Sequence, residues 1–98
     1  MLYVMTLDWQ PGLSRDQRDG ALGRRAQWQY PEGLEVLGEY WTSAESPAVV
    51  VVFRAESFAP LLEIGLAWGD VFGITTYPAV GAEEGLTMGA AAMERRQV

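Results

Sequence analysis

With 98 residues, 49% of them hydrophobic and 20% charged, the chain has the composition of one small globular domain. Its net charge of −6 sets long-range electrostatics against nucleic acid and anionic membrane surfaces, so neither is expected as a partner. Cys, His and Lys are all absent, which excludes disulfides, thiolate nucleophiles, haem or zinc held through His, and Schiff-base chemistry; no cofactor is implied.

Residues 2–8 are apolar on both alternation phases and read as a largely buried strand. No basic stretch precedes them, so no signal peptide is read and a cytoplasmic location is expected. Asp8-Trp9-Gln10-Pro11-Gly12 ends the strand in a turn. Ser14 then caps a helix, with Gln17 placed to complete a capping box. This helix runs to about Trp28 and is weakened by Gly20 and Gly23. Its stripe of Ala21, Leu22, Ala26 and Trp28 is thin. Tyr30-Pro31-Glu32-Gly33 is a turn. In the second strand, Leu34 to Trp41, strict alternation sets Glu35, Leu37, Glu39 and Trp41 against Leu34, Val36, Gly38 and Tyr40. A polar loop leads to Ala48–Phe53, a β-branched run buried on both faces and too short to span a bilayer. Arg54 shares the phase of Ala48, Val50 and Val52; either that set or Val49, Val51 and Phe53 faces the helices. Ser57 is the expected cap of a second helix carrying Phe58, Leu61, Leu62, Leu66 and Trp68 at helical spacing. Gly69-Asp70 ends it. Val71 to Val80 is the fourth strand, and Pro78 points to an edge position. From Gly81 the character changes, and a short tail helix weakened by Gly85 and Gly89 is expected.

The order strand, helix, strand, strand, helix, strand predicts an α+β, ferredoxin-like βαββαβ sandwich over residues 1–80, with residues 81–98 as a C-terminal tail. Right-handed crossovers place both helices on one face of a four-stranded antiparallel sheet, with the first and third strands central. Two helices leave the other face bare, and a second copy related by a two-fold axis is the simplest cover, so a homodimer through the sheet face is expected.

Several landmarks carry a family resemblance: Pro31-Glu32-Gly33-Leu34-Glu35-Val36-Leu37-Gly38, the valine strand, Ala55-Glu56-Ser57, Trp68-Gly69-Asp70 and Thr76-Tyr77-Pro78. In order and spacing they resemble the uncharacterised family called domain of unknown function 3303, within the dimeric α+β-barrel superfamily. The resemblance covers roughly residues 2–80. It implies two sheets facing each other to form a barrel with helices outside, and it implies no reaction. Family members often place His after an aromatic at the end of the second strand; here Tyr40-Trp41-Thr42 stands there.

The resemblance also suggests where a ligand would lie, between sheet and helices, and which chemistries to weigh. Trp68, Trp28, Tyr3 and Arg54 are the candidate ligand-binding residues, for a small apolar or aromatic molecule. Each has a simpler reading: the aromatics as core, Arg54 as an ion pair with Glu39. Asp70 and Tyr77 are the candidate catalytic residues. A cofactor-independent monooxygenase or isomerase acting on a small aromatic or polyketide-like molecule would need Trp68, Asp70 and Tyr77 around one cavity of several hundred Å3. A space filled by Trp28 and Trp68 would count against it. The favoured reading is a non-catalytic module, structural or ligand-binding.

Overall fold

The computed structural model of the chain describes residues 1–97. Its elements are β1 (Leu2–Trp9), α1 (Arg15–Gln27), β2 (Leu34–Trp41), β3 (Val49–Ala55), α2 (Ala59–Trp68), β4 (Phe72–Ala79) and α3 (Ala82–Arg96). The strands form one antiparallel sheet in the order β2-β3-β1-β4. This is the ferredoxin-like arrangement, with β1 and β3 central as their apolar sequences require. β4 is an edge strand, so Pro78 costs the sheet no ladder hydrogen bond on its open side.

The face that meets α1 and α2 is set by β3. Val49, Val51, Phe53 and Ala55 are buried, while Val50 and Val52 are partly open and Arg54 is exposed. Met5 and Leu7 of β1, Phe72 of β4, Ala21 of α1, and Ile64 and Trp68 of α2 complete the core. Phe53 lies at its centre with no exposed surface.

α1 begins as its sequence dictates. The Ser14 hydroxyl accepts from the Gln17 amide, and the Gln17 side chain accepts from the Ser14 amide. Ala21 is its one buried residue, and Leu22 faces solvent. α2 differs from expectation at its start: Phe58, not Ser57, is the N-cap, and no side chain caps the helix. Pro60 in the first turn needs no amide partner, so the cap is dispensable there.

β2 does not alternate strictly. Val36 pairs with Phe53 and Gly38 with Val52, leaving Leu37 as the extra residue of a bulge. Leu34 and Val36 therefore share the helix-side face with Glu39 and Trp41, which pair with Val51 and Val49. Gly38 permits this local geometry: a Cβ there would lie 2.5 Å from the Tyr40 hydroxyl, whose ring covers the position.

Among the described residues, no helix packs on the opposite face of the sheet. Val4, Val52 and Tyr77 form one row across it with Gly38, and Thr6, Val50, Tyr40 and Thr75 form the next. Leu2, Arg54, Glu35 and Ala79 bound it at one end. Tyr40 and Tyr77 are 60% and 52% exposed there. α3 leaves the end of β4 and projects from the body, which stretches the molecule to 58 Å; none of its residues is buried. At 15 residues it is longer than the short tail helix expected. Among the described residues, no helix is long and apolar enough to cross a membrane.

Candidate functional site

The helix-side face carries a half-open recess beneath the C-terminal end of α1. Met5, Leu7, Val49 and Val51 of the central strands form its floor, and Ile64, Trp68 and Phe72 close one side. Trp28, Tyr30, Trp41, Arg25 and Glu39 close the other. The cavity measures about 30 Å3, which is room for one or two waters. Trp28 lines it, packing edge to face on Trp68 with ring centroids 5.6 Å apart and on Tyr30 at 4.8 Å. Among the described residues, this site lacks the several hundred Å3 that catalysis on a small aromatic molecule would require.

Glu39 organises the mouth of this space. The bulge turns its side chain to the helix side, where it is 18% exposed and meets three donors. Arg25 donates from Nε to both carboxylate oxygens, at 3.2 and 3.0 Å, and from Nη2 to Oε1 at 2.9 Å. The Tyr30 hydroxyl donates to Oε1, and Trp41 Nε1 donates to Oε2 at 2.8 Å. Arg25 also donates from Nη1 to the Trp28 carbonyl at 3.0 Å, which ties the end of α1 to the turn leading into β2.

Burial alone would raise the Glu39 carboxyl, but the hydrogen bonds from Arg25, Tyr30 and Trp41 outweigh it and hold the group below its ordinary value. The Tyr30 hydroxyl is pushed up, first by burial and then by its bond to the Glu39 carboxylate. The Arg25 guanidinium is raised by its hydrogen bonds to Glu39 against an opposing effect of burial. At neutral pH the cluster is therefore a carboxylate, a guanidinium and a neutral phenol, each satisfied by the others. The one carboxyl of this cluster is therefore not poised to exchange a proton near pH 7.

α1 is held by three arginines used in one way. Arg18 pairs with Glu45 at 2.7 Å and lies over Trp9. Arg24 pairs with Asp70 through both carboxylate oxygens, at 3.0 and 2.9 Å, and lies 4.3 Å from the Trp68 ring centroid. Arg25 pairs with Glu39 and lies over Trp28 and Tyr30. A helix with one buried apolar residue is thus docked by guanidinium groups that bridge aromatic faces and carboxylates.

Of the residues singled out from sequence, Trp28 and Trp68 come together in this cavity. Tyr3 does not line it; its ring stacks on Phe53 at 5.6 Å. Asp70 lies outside, bound to Arg24, whose hydrogen bonds hold the carboxyl below its ordinary value. Tyr77 is on the opposite face of the sheet, so Trp68, Asp70 and Tyr77 do not share a cavity. Arg54 is also on that opposite face, where it meets Glu35 at 3.7 Å; the expected pairing with Glu39 is ruled out because the bulge puts the two side chains on different faces. Arg25, Tyr30, Glu39 and Trp41 were not identified as site residues from the sequence. The one available signal was Gly38, since a glycine inside a strand marks a bulge and a bulge reverses the phase of the residues beyond it.

A protein-family profile described as Domain of unknown function (DUF3303) matches residues 1–93, which takes in most of α3 as well as the four-stranded domain. No curated protein matches the chain.

Proposed function

The chain belongs to the DUF3303 family, whose description assigns no activity, and on that premise we propose that it is a non-catalytic structural module that works as a homodimer, two copies meeting through the bare face of the sheet. The observation that carries this reading is the composition of that face. Val4, Val50, Val52, Tyr40 and Tyr77 form an apolar centre, and Arg54 and Glu35 lie at its rim. An apolar centre with exposed tyrosines and a charged rim is the anatomy of a protein interface. Four strands at about 4.8 Å, each about eight residues at about 3.3 Å, make a face of roughly 500 Å2 in projection, or about 1,000 Å2 from two copies, the lower end for a specific interface. The non-catalytic part is supported by the Glu39 cluster, whose ionisable groups are engaged with one another, and by the separation of Trp68, Asp70 and Tyr77.

Light scattering at micromolar concentration is expected to give about twice the 10.8 kDa chain mass. Tyr77→Glu places a charge on an exposed edge-strand position at little cost to the monomer. It is expected to lower the mass to that of one chain while the far-UV dichroism is unchanged. A wild-type mass near 10.8 kDa would refute the reading.

A small-molecule-binding role is favoured by a second observation, the docking of α1. The wall between the aromatic cavity and solvent is a helix held through guanidinium pairs, with only Ala21 buried. A flat apolar molecule would enter by displacing Trp28 and the end of α1, not by filling existing space. Tryptophan fluorescence during titration with an aromatic dye reports this: saturable quenching that is lost in Trp28→Ala supports it, and non-saturable quenching refutes it.

A further inference from the structure

α3 is unlike the other helices. It has 15 residues, none buried, and includes Gly85 and Gly89. Isolated helices shorter than about 12–15 residues are marginal in water even when Ala-rich, and each interior Gly costs about 1 kcal/mol relative to Ala. A helix of this composition with no buried residue needs a partner. Its apolar residues are arranged for one: Leu86, Gly89, Ala90 and Met93 recur at helical spacing and make one stripe, on which Leu86 is 76% exposed and Met93 53%.

The charge pattern identifies the partner. Glu83 and Glu84 are in the first turn, Arg95 and Arg96 in the last. A second copy of the same helix, laid antiparallel, sets each acidic end beside a basic end and opposes the helix dipoles favourably. One register satisfies the whole stripe. When Glu84 is level with Arg95 of the partner subunit, Leu86 is level with Met93 of the partner subunit, and Gly89 with Ala90 of the partner subunit. The two small residues then fall at the crossing point, where backbones must approach most closely. The first turns of α3 also overhang an open cleft of about 840 Å3, walled by Glu83, Glu84 and Thr87 and floored by Leu2, Arg54 and Ala79 of the bare sheet face. The helix is thus continuous with the face through which the second copy is proposed to dock.

We propose that α3 is an association arm, and that the α3 helices of two copies of this chain pair antiparallel along Leu86, Gly89, Ala90 and Met93. This rests on the homodimeric reading and names a second surface for it.

The chain has no Cys, so engineered thiols report the pairing directly. In the proposed register, two copies of position 90 are offset by about 1.5 Å along the helices and two copies of position 86 by about 10 Å. A disulfide requires Cα atoms within about 7 Å. Under mild oxidation of the full chain, Ala90→Cys is expected to form covalent dimer about tenfold more than Leu86→Cys, which violates that limit. The double variant Leu86→Cys/Met93→Cys is expected to link as readily as Ala90→Cys. Because α3 is exposed along its length, these substitutions leave the four-stranded domain intact, which far-UV dichroism checks. Equal linking of Leu86→Cys and Ala90→Cys would mean parallel pairing and would overturn the proposal. A dimeric mass by light scattering without linking of Ala90→Cys would overturn it and leave the sheet-face dimer standing. A monomeric mass would overturn both.

Discussion

Replacing Glu39 with Gln keeps the shape of the side chain and removes its charge. Every neighbour of the carboxylate is a donor: Arg25, the Tyr30 hydroxyl and the Trp41 indole. The new amide N–H2 finds only the Tyr30 hydroxyl oxygen as an acceptor among them, and one oxygen must serve where two did. Hydrogen bonds to a charged group contribute about 1.5–3 kcal/mol each. With Arg25 31% exposed and Glu39 18%, water recovers part of each loss. The expected net cost is about 2 kcal/mol, which for a domain near 100 residues lowers Tm by roughly 8–16 °C. Urea unfolding followed by far-UV dichroism measures it, with both proteins at one concentration because self-association shifts apparent stability. The pH dependence is a sharper check. The folded Glu39 carboxyl is depressed below its unfolded value of about 4.3, so it contributes stability that is full above about pH 5. That contribution declines as pH falls through the folded value, and the difference between wild type and Glu39→Gln should shrink with it. A difference below about 0.5 kcal/mol at pH 7, typical of an exposed pair, would show that the cluster is no anchor for α1. A difference that does not change between pH 7 and pH 3 would refute the electrostatic account.

Tyr30 titrates with the opposite sign: its hydroxyl is raised by burial and by Glu39, so its contribution holds below about pH 10 and is lost as pH rises through the folded value. An alkaline absorbance titration should therefore show a phenol ionising above pH 10 that Tyr30→Phe removes; an unchanged titration in Tyr30→Phe above pH 10 would contradict the burial argument. Gly23→Ala should stabilise by about 0.5–1 kcal/mol, because a Cβ there meets nothing and Ala favours the helix. Gly69→Ala should destabilise by about 1–3 kcal/mol, because its Cβ would lie 2.7 Å from the backbone carbonyl oxygen of Gly65, which cannot give way as a side chain can. Thermal unfolding of the two variants should shift in opposite directions, and shifts of the same sign would show that local space does not control these positions.

The element order was readable because each piece is specified locally. The Ser14 capping box, the β-branched run in β3 and Pro78 at an edge act over a few residues, and each holds in the folded chain. Ser57 looked like a cap for the same local reason, but Pro60 in the first turn had already removed one of the amides a cap would satisfy. The site was far less legible. Nothing local to Arg24 and Arg25 marks a role for them, since their carboxylate partners lie 46 and 14 residues away in sequence.

What the sequence by itself determined is the set of elements, their order, and a sheet with more apolar surface than two helices cover, because propensity, capping and turn chemistry are short-range. Only the tertiary structure decided the faces. A single extra residue at Leu37 reverses the phase of β2, and with it Glu39 leaves the side of Arg54 for that of Arg25. Side chains alternate with a period of two, so one inserted residue reassigns every side chain beyond it. Whether an insertion is accommodated as a bulge depends on the strand alongside, here the pairing of Val36 and Gly38 with Phe53 and Val52, which no stretch of β2 contains.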